Sequence, residues 1–256
     1  MATPESEAYV RTFVRGLKVI EVLGLPPGRH TIGQLVAETG LPRTAIRRFL
    51  STLIDIGMVE SGGKLFWLTP GVLKLGLSFL STLPYWREAQ LALEELCAHI
   101  QQSCALSVLD GNEIVYLQRQ HAKRILPMSP SLGTRMPAYA VSMGRVLLAG
   151  LPDDRLEAVL GNAHRVAYTP STITDTKRLM EIIASVREKG YAWGDRELDE
   201  SICGLAVPVR DSSGAVVAAI NVSLPAGRFT EASAIEAFLT ELRLTAARLR
   251  ESMQQY

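Results

Sequence analysis

An α+β chain in two parts is predicted, and three observations predict it. The first 70 residues read as helix, helix, tight turn, helix and then a glycine-turned hairpin. Thr69, Pro70 and Gly71 then break the chain. From residue 104 onward, strand-length apolar segments mix with helical ones, as in a domain built around one sheet. A length of 256 residues suits two modest domains. The expected boundaries are 1–70 for the helical unit, 71–84 for a linker helix and 85–256 for the mixed unit.

The elements follow in order. Tyr9, Val10, Phe13, Leu17, Ile20 and Leu23 recur at helical spacing, which predicts a helix over 7–24. Thr31 and Gln34 form a capping-box pattern that opens a second helix, and Gly40 supplies a left-handed C-terminal residue. Pro42 suits the first turn of a third helix. Ile46, Phe49, Leu50, Leu53 and Ile54 form its predicted buried stripe. Its other face carries Arg43, Thr44, Arg47, Arg48, Ser51 and Thr52, with no acid between Thr39 and Ile54. Ser61, Gly62 and Gly63 turn a hairpin with Lys64 beside its tip.

Helices are expected over 71–82 and 85–103. Strands over 104–109 and 113–119 are joined by Asp110, Gly111 and Asn112. Helices follow at 139–150, 153–160 and 175–189, and strands at 191–195, 204–210 and 215–224. A last helix runs over 231–253.

Composition narrows the function class. Apolar residues at 47% and charged residues at 21% are enough for packed cores. Net charge is +1, with eight Lys/Arg against six Asp/Glu in residues 1–70, so bulk charge alone does not argue for nucleic acid. Cys97, Cys104 and Cys203 form no pair motif, which fits a reducing, cytoplasmic compartment. The first residues lack a signal-peptide pattern, and no apolar run reaches membrane-spanning length. No Walker, dinucleotide or metal-ligand spacing is present, so no cofactor is expected.

The third helix has what a recognition helix needs: one buried face, one basic face and no acid on the basic side. Arg43, Arg47 and Arg48 suit phosphates or guanine edges, Thr44 suits a base edge, and Lys64 suits the backbone of a neighbouring groove. The competing reading is a solvated basic face, but the turn and hairpin that flank the helix favour DNA.

The chain resembles the IclR family of transcription regulators over nearly its full length. The resemblance rests on GLPRTAIRRFL at 40–50, LTPGVLKLG at 68–76 and LGTRMPAYAVSMGRVLLA at 132–149. GYAWGDRELD at 190–199, AVPVRDSSG at 206–214 and AAINVS at 218–223 extend it. It is most similar to the β-ketoadipate-pathway subgroup, the PcaR, PcaU and PobR type. The resemblance implies a winged helix-turn-helix, a GAF-like effector domain, operator DNA, a homodimer or tetramer and a small organic-acid effector, aromatic or dicarboxylic. It also implies a pocket at Ser142, Met143, Gly144, Asp195, Gly204, Asn221 and Ser223. Amides at a helix start suit a carboxylate, and Asn221 and Ser223 alternate onto one strand face.

Each of these residues has a structural alternative. Ser142 either caps its helix or meets a ligand. Asp195 either accepts from a ligand hydroxyl or pairs with Arg196. Asn221 and Ser223 either face the ligand or bond the backbone. Arg135 and Arg119 are candidate counter-ions or surface residues, and Tyr139 lines the pocket or packs in the core. Cys203 stands where relatives commonly carry arginine, and Pro127 and Pro130 interrupt a segment that relatives continue as strand.

Two other classes are weighed. Residues 140–144 resemble a degenerate nucleophile elbow on Ser142, but His164 precedes Asp175, the wrong order for that hydrolase fold. A small-molecule sensor without operator binding would leave the arginines of 43–48 idle.

Overall fold

The computed structural model describes residues 9–122, 131–162 and 164–253. Pro127 and Pro130 lie outside the described residues. The chain divides into two compact units, residues 1–82 and 83–256.

In the first unit, α1 spans Arg11–Leu23, α2 Ile32–Thr39 and α3 Arg43–Asp55. Val19, Leu23, Leu35, Ile46, Leu50 and Val59 are buried together as its core. The capping box at α2 forms in both directions: Gln34 N–H donates to Thr31 Oγ1, and Thr31 N–H donates to Gln34 Oε1 at 2.8 Å. Gly40 takes the left-handed conformation, φ 70°, that turns the chain into α3. Thr39, buried in that turn, donates to Leu35 O at 2.6 Å and accepts from Leu41 N–H at 3.2 Å.

The hairpin is β2, Val59–Gly62, and β3, Leu65–Leu68. A two-residue strand, β1, His30–Thr31, pairs with β3 to complete a three-stranded sheet. The sequence pattern does not show β1, because two residues carry no alternation. Ile54 departs from the predicted stripe and is exposed, while Leu53 beside it in the same turn is buried in the core. Residues Pro70–Val72 form a 3-10 turn ahead of α4, Leu73–Ser81.

The second unit is three-layered around one six-stranded sheet. Its strands are β4 (Ser103–Asp110), β5 (Glu113–Gln120), β6 (Arg135–Pro137), β7 (Ala192–Asp195), β8 (Ile202–Arg210) and β9 (Val216–Pro225). Their order is β6-β5-β4-β9-β8-β7, and every neighbouring pair is antiparallel. Residues 135–137, which do not read as a core strand, are a short edge strand. On one face pack α5, Trp86–Ile100, and α9, Glu231–Met253. On the other pack α6, Ser142–Ala149, and behind it α8, Thr176–Lys189; α7 is Asp153–Asn162.

The two sheet faces differ in side-chain size. Ala105, Ala192, Ala206 and Ala219 belong to the core cluster shared with α6, whereas the neighbouring Leu106, Leu205, Val207, Ile220 and Val222 do not. Strand alternation therefore places small residues of β4, β7, β8 and β9 under α6, while β5 adds the larger Ile114 and Tyr116 to the same cluster. That thin layer of alanine and glycine is what leaves room for a cavity.

Candidate functional site

Two surfaces collect the candidate residues, one in each unit. On α3, Arg43, Thr44, Arg47 and Arg48 are all exposed, while Ile46, Leu50 and Leu53 anchor the opposite face. Lys64 is exposed at the hairpin tip. Among the described residues no carboxylate pairs with these basic groups. Trp67 on β3 carries the guanidinium of Arg29 4.4 Å above its ring and donates from Nε1 to Glu60 at 3.2 Å. This packing stiffens the hairpin next to Lys64.

In the second unit, a cavity of about 460 Å³ opens between the small-residue sheet face, the start of α6 and the 196–202 loop. Ser142, Met143, Gly204, Asn221 and Ser223 line it, together with Tyr116, Arg119 and Glu197. Two glycines set how closely α6 approaches the sheet. A Cβ on Gly194 would lie 3.3 Å from Ser142 N, and one on Gly204 would lie 3.3 Å from Ser142 Oγ and 3.2 Å from Val222 O. Gly194 and Gly204 are direct cross-strand partners, and Gly204 is also the partner of Ser223. The row of glycine, glycine and serine thus runs beneath the first turn of α6. Amides in that first turn have no acceptor one turn earlier in the helix.

Ser142 does not cap its helix: Val141 occupies the N-cap position, and no side-chain cap bond forms. Ser142 is buried with its hydroxyl against Gly204. Met143 is packed by Ser107, whose Oγ lies 3.2 Å from the Met143 sulfur. Asn221 is 6% exposed, and its Nδ2 donates to Ser223 Oγ at 3.2 Å. Its Oδ1 has no partner, and neither has Nε of Arg119; among the described residues these are the two buried side-chain polar atoms so placed. Leaving such an atom unsatisfied costs about 1–3 kcal/mol. Both residues line one cavity, which points to a polar ligand there.

Four candidates stand elsewhere. Gly144 packs on the turn before α6, where an added Cβ would fall 2.0 Å from Ala138 O. Its glycine is required by packing. Tyr139 is buried and bonds Val166 twice, donating to its carbonyl and accepting from its N–H, each at 2.8 Å. Arg135 lies on exposed edge strand β6, held by Asp110 at 2.8 Å and Glu113 at 2.7 Å. Asp195 is taken by Arg196 in a two-pronged pair, with both bonds at 3.1 Å. Local packing or local partners account for each of these residues, and none of the four lines the cavity.

Arg119 faces the cavity instead of Arg135, and the cause is a bulge. The pairing of β4 with β5 shifts between Leu106 and Ser107: Leu106 pairs with Gln118, but Ser107 pairs with Tyr116. Leu117 is the extra residue, so Tyr116 and Arg119, three apart, fall on the same face. Burial pushes the Arg119 guanidinium below its ordinary pKa, opposed by the neighbouring Tyr116.

The loop over the cavity is anchored by a buried ion pair absent from the sequence expectations. Arg145 Nη2 donates to Glu197 Oε2 at 2.5 Å. Arg145 Nε donates to Tyr139 O at 3.2 Å, and Ile173 N–H reaches Glu197 Oε2 at 3.4 Å. Thr169 Oγ1 donates to Arg196 O at 2.6 Å, and Thr172 Oγ1 donates to Glu197 O at 2.5 Å. Burial raises the Glu197 carboxyl above its ordinary pKa, while Arg145 pulls it down. Cys203, also at the cavity, is buried and pushed up to about 11 by burial.

The elbow geometry of a serine hydrolase is not met, since a 3-10 turn at Ala138–Ala140, not a strand, leads to Ser142. Among the described residues no cluster of three or more His, Cys, Asp or Glu is placed to hold a metal, and no helix is long and apolar enough to cross a membrane.

Comparison with known proteins agrees with this arrangement. Residues 12–63 match the IclR helix-turn-helix domain, and residues 77–250 match the bacterial transcriptional regulator IclR C-terminal family. The chain is 37% identical over 232 residues to the Pca regulon regulatory protein of Pseudomonas putida, covering 90% of this chain and 80% of that one. It is 34% identical over 250 residues to the p-hydroxybenzoate hydroxylase transcriptional activator of Acinetobacter baylyi, covering 96% and 92%. A solved structure of the PobR inducer-binding domain of Acinetobacter, a double mutant in complex with 3-hydroxybenzoic acid, is 32% identical with a TM-score of 0.59. That match covers 64% of this chain and 96% of the other. With a helix-turn-helix unit followed by a sheet domain that holds an apolar-walled cavity with a few polar groups, and with matches spanning both, the chain belongs to the IclR family of bacterial transcriptional regulators.

Proposed function

We propose that this regulator controls genes for the breakdown of aromatic acids, and that a small aromatic or dicarboxylic acid in the cavity changes its hold on operator DNA. The single observation that carries the reading is the cavity itself. It brings an acceptor without a donor, Asn221 Oδ1, and a half-buried cation, Arg119, whose Nε has no partner, onto one face beside the start of α6. A carboxylate suits the α6 amides, because the positive end of the helix dipole and the first-turn N–H groups point there. A ligand hydroxyl suits Asn221 Oδ1. The apolar walls, Met136, Met143, Leu198 and Ile202, suit a ring or a short chain. The names of the relatives, a Pca regulator and a p-hydroxybenzoate hydroxylase activator, support the aromatic class.

On this reading residues 1–70 are the DNA-binding domain, 71–84 a linker and 85–256 a GAF-like effector domain. Arg43, Thr44, Arg47, Arg48 and Lys64 meet DNA. Two copies, or a dimer of dimers, present two α3 helices to a palindromic operator, with half-sites a helical turn or more apart. Ligand affects DNA affinity only through its different affinity for two arrangements of those copies. The difference passes through the helices of residues 71–103. The test is a division of labour: Arg47→Ala weakens operator binding and spares ligand binding, whereas Asn221→Ala does the reverse. Loss of ligand binding in Arg47→Ala, or unaltered ligand affinity in Asn221→Ala, contradicts the assignment.

A further inference from the structure

We infer that Arg119 is a second anion-recognising pole of the cavity, so that the effector is an acid with two anionic ends rather than a simple monocarboxylate. This rests on the cavity being the effector site and goes on to name the ligand's charge pattern.

The sheet register sets the two poles apart. Ala105 pairs with Arg119 on one side and with Asn221 on the other, and Asn221 pairs in turn with Ala206. Directly paired residues share a face, so Arg119, Ala105, Asn221 and Ala206 form one row under the cavity. Between the two polar members stands only a methyl group. Arg119 and Asn221 are two strand spacings apart, about 10 Å between Cα atoms. Ser142, Gly204 and Ser223 cluster at the Asn221 end: a Cβ on Gly204 would lie 3.3 Å from Ser142 Oγ and 3.7 Å from Asn221 Nδ2. Arg119 and Tyr116 hold the other end, brought there together by the bulge at Leu117.

The remaining charges of the lining do not substitute for a ligand. Arg196 is engaged by Asp195, and Glu197 by Arg145. Asp199 is exposed, and its Oδ1 accepts from Ser201 N–H at 2.8 Å and from Ser201 Oγ at 2.6 Å. Arg119, half-buried, lines the cavity, and among the described residues its Nε is the one buried side-chain N–H without a partner. A guanidinium stays charged at neutral pH and recognises a carboxylate with two parallel donors. A ligand that places one carboxylate at the α6 start and a second acidic group at Arg119 satisfies both ends.

The experiment is titration calorimetry on the full chain with matched pairs of probes: benzoate against benzene-1,4-dicarboxylate, and hexanoate against adipate. The wild type is expected to bind each dianion at least about tenfold more tightly than its monoanion, the scale of one charge-assisted hydrogen bond. Arg119→Gln is expected to abolish that ratio while leaving monoanion affinity within about twofold, and Arg119→Lys to keep part of it. Melting temperature confirms that each variant is folded. A wild type that binds monoanions as well as dianions overturns the inference but leaves the effector site standing. So does an Arg119→Gln that weakens both classes equally, since Arg119 then holds the one carboxylate. If no acid binds the wild type, the effector-site reading falls and this inference falls with it.

Discussion

Arg145 and Glu197 meet as a buried ion pair, at 3% and 7% side-chain exposure, and join α6 to the loop that walls the cavity. The pair sits between the start of the helix proposed to hold a carboxylate and residues 196–202. Buried pairs contribute little net stability against an apolar substitute, but removing one partner leaves a charge stranded.

Arg145→Met is therefore expected to destabilise the second unit by about 3–5 kcal/mol in chemical denaturation. A pH dependence follows. Burial already raises Glu197, and Arg145 opposes that rise. Without Arg145 the folded carboxyl rises further, so the folded state holds a proton that the unfolded state has released. Stability of the variant then falls as pH increases from the unfolded value, about 4.3 for a glutamate, through the raised folded value. Stability that instead increased with pH over that window would contradict the assignment.

Gly204→Ala places a methyl 3.2 Å from Val222 O and 3.3 Å from Ser142 Oγ. The strand and α6 must part slightly, at about 1–3 kcal/mol of overpacking. Effector affinity is expected to drop while the melting temperature falls only modestly. An undiminished affinity would mean that the spacing of α6 from β8 does not set the site.

Tyr139→Phe removes both bonds to Val166 and strands that N–H and carbonyl, at a cost of about 1–3 kcal/mol. Because Tyr139 lies off the cavity, acid affinity is expected to stay unchanged in calorimetry. A selective loss of affinity would restore Tyr139 to the pocket.

Every DNA phosphate that a basic side chain of α3 neutralises steepens the fall of log affinity with log salt by about 0.9. If Arg48 meets a phosphate, Arg48→Ala is expected to make that slope shallower by about this amount. An unchanged slope with altered sequence preference would assign Arg48 to a base edge instead.

Features that rest on local chemistry are legible in the sequence. The Thr31 and Gln34 capping box and the left-handed Gly40 are written in a few adjacent residues, and both form; the hairpin expected at 61–63 also forms, with its two-residue turn at Gly63 and Lys64. Asn221 and Ser223 share a face because strand alternation is strict. What depends on pairing between distant segments is hidden. The bulge at Leu117 depends on the register of β4 against β5, so nothing near Arg119 tells which face it takes. Asp195 reads from the sequence as a ligand acceptor or an Arg196 partner, and in the fold it is bonded by Arg196, which stands at φ 58°. The Arg145 and Glu197 pair spans 52 residues, beyond any local pattern. Even so, the alternation of Gly204 and Ala206 with Leu205 and Val207 is a legible sign that one face of β8 is kept small.

Central to this account is that an acid in the second unit changes DNA binding by the first. Its most direct test is a mobility shift on the DNA upstream of the protein's own gene, at stated salt, with and without a panel of aromatic and dicarboxylic acids. A retarded complex whose affinity one acid changes, with that response lost in Asn221→Ala, is the predicted result. Folded protein that gives no complex at physiological salt with any acid, or a complex indifferent to every acid that calorimetry shows to bind, would contradict it.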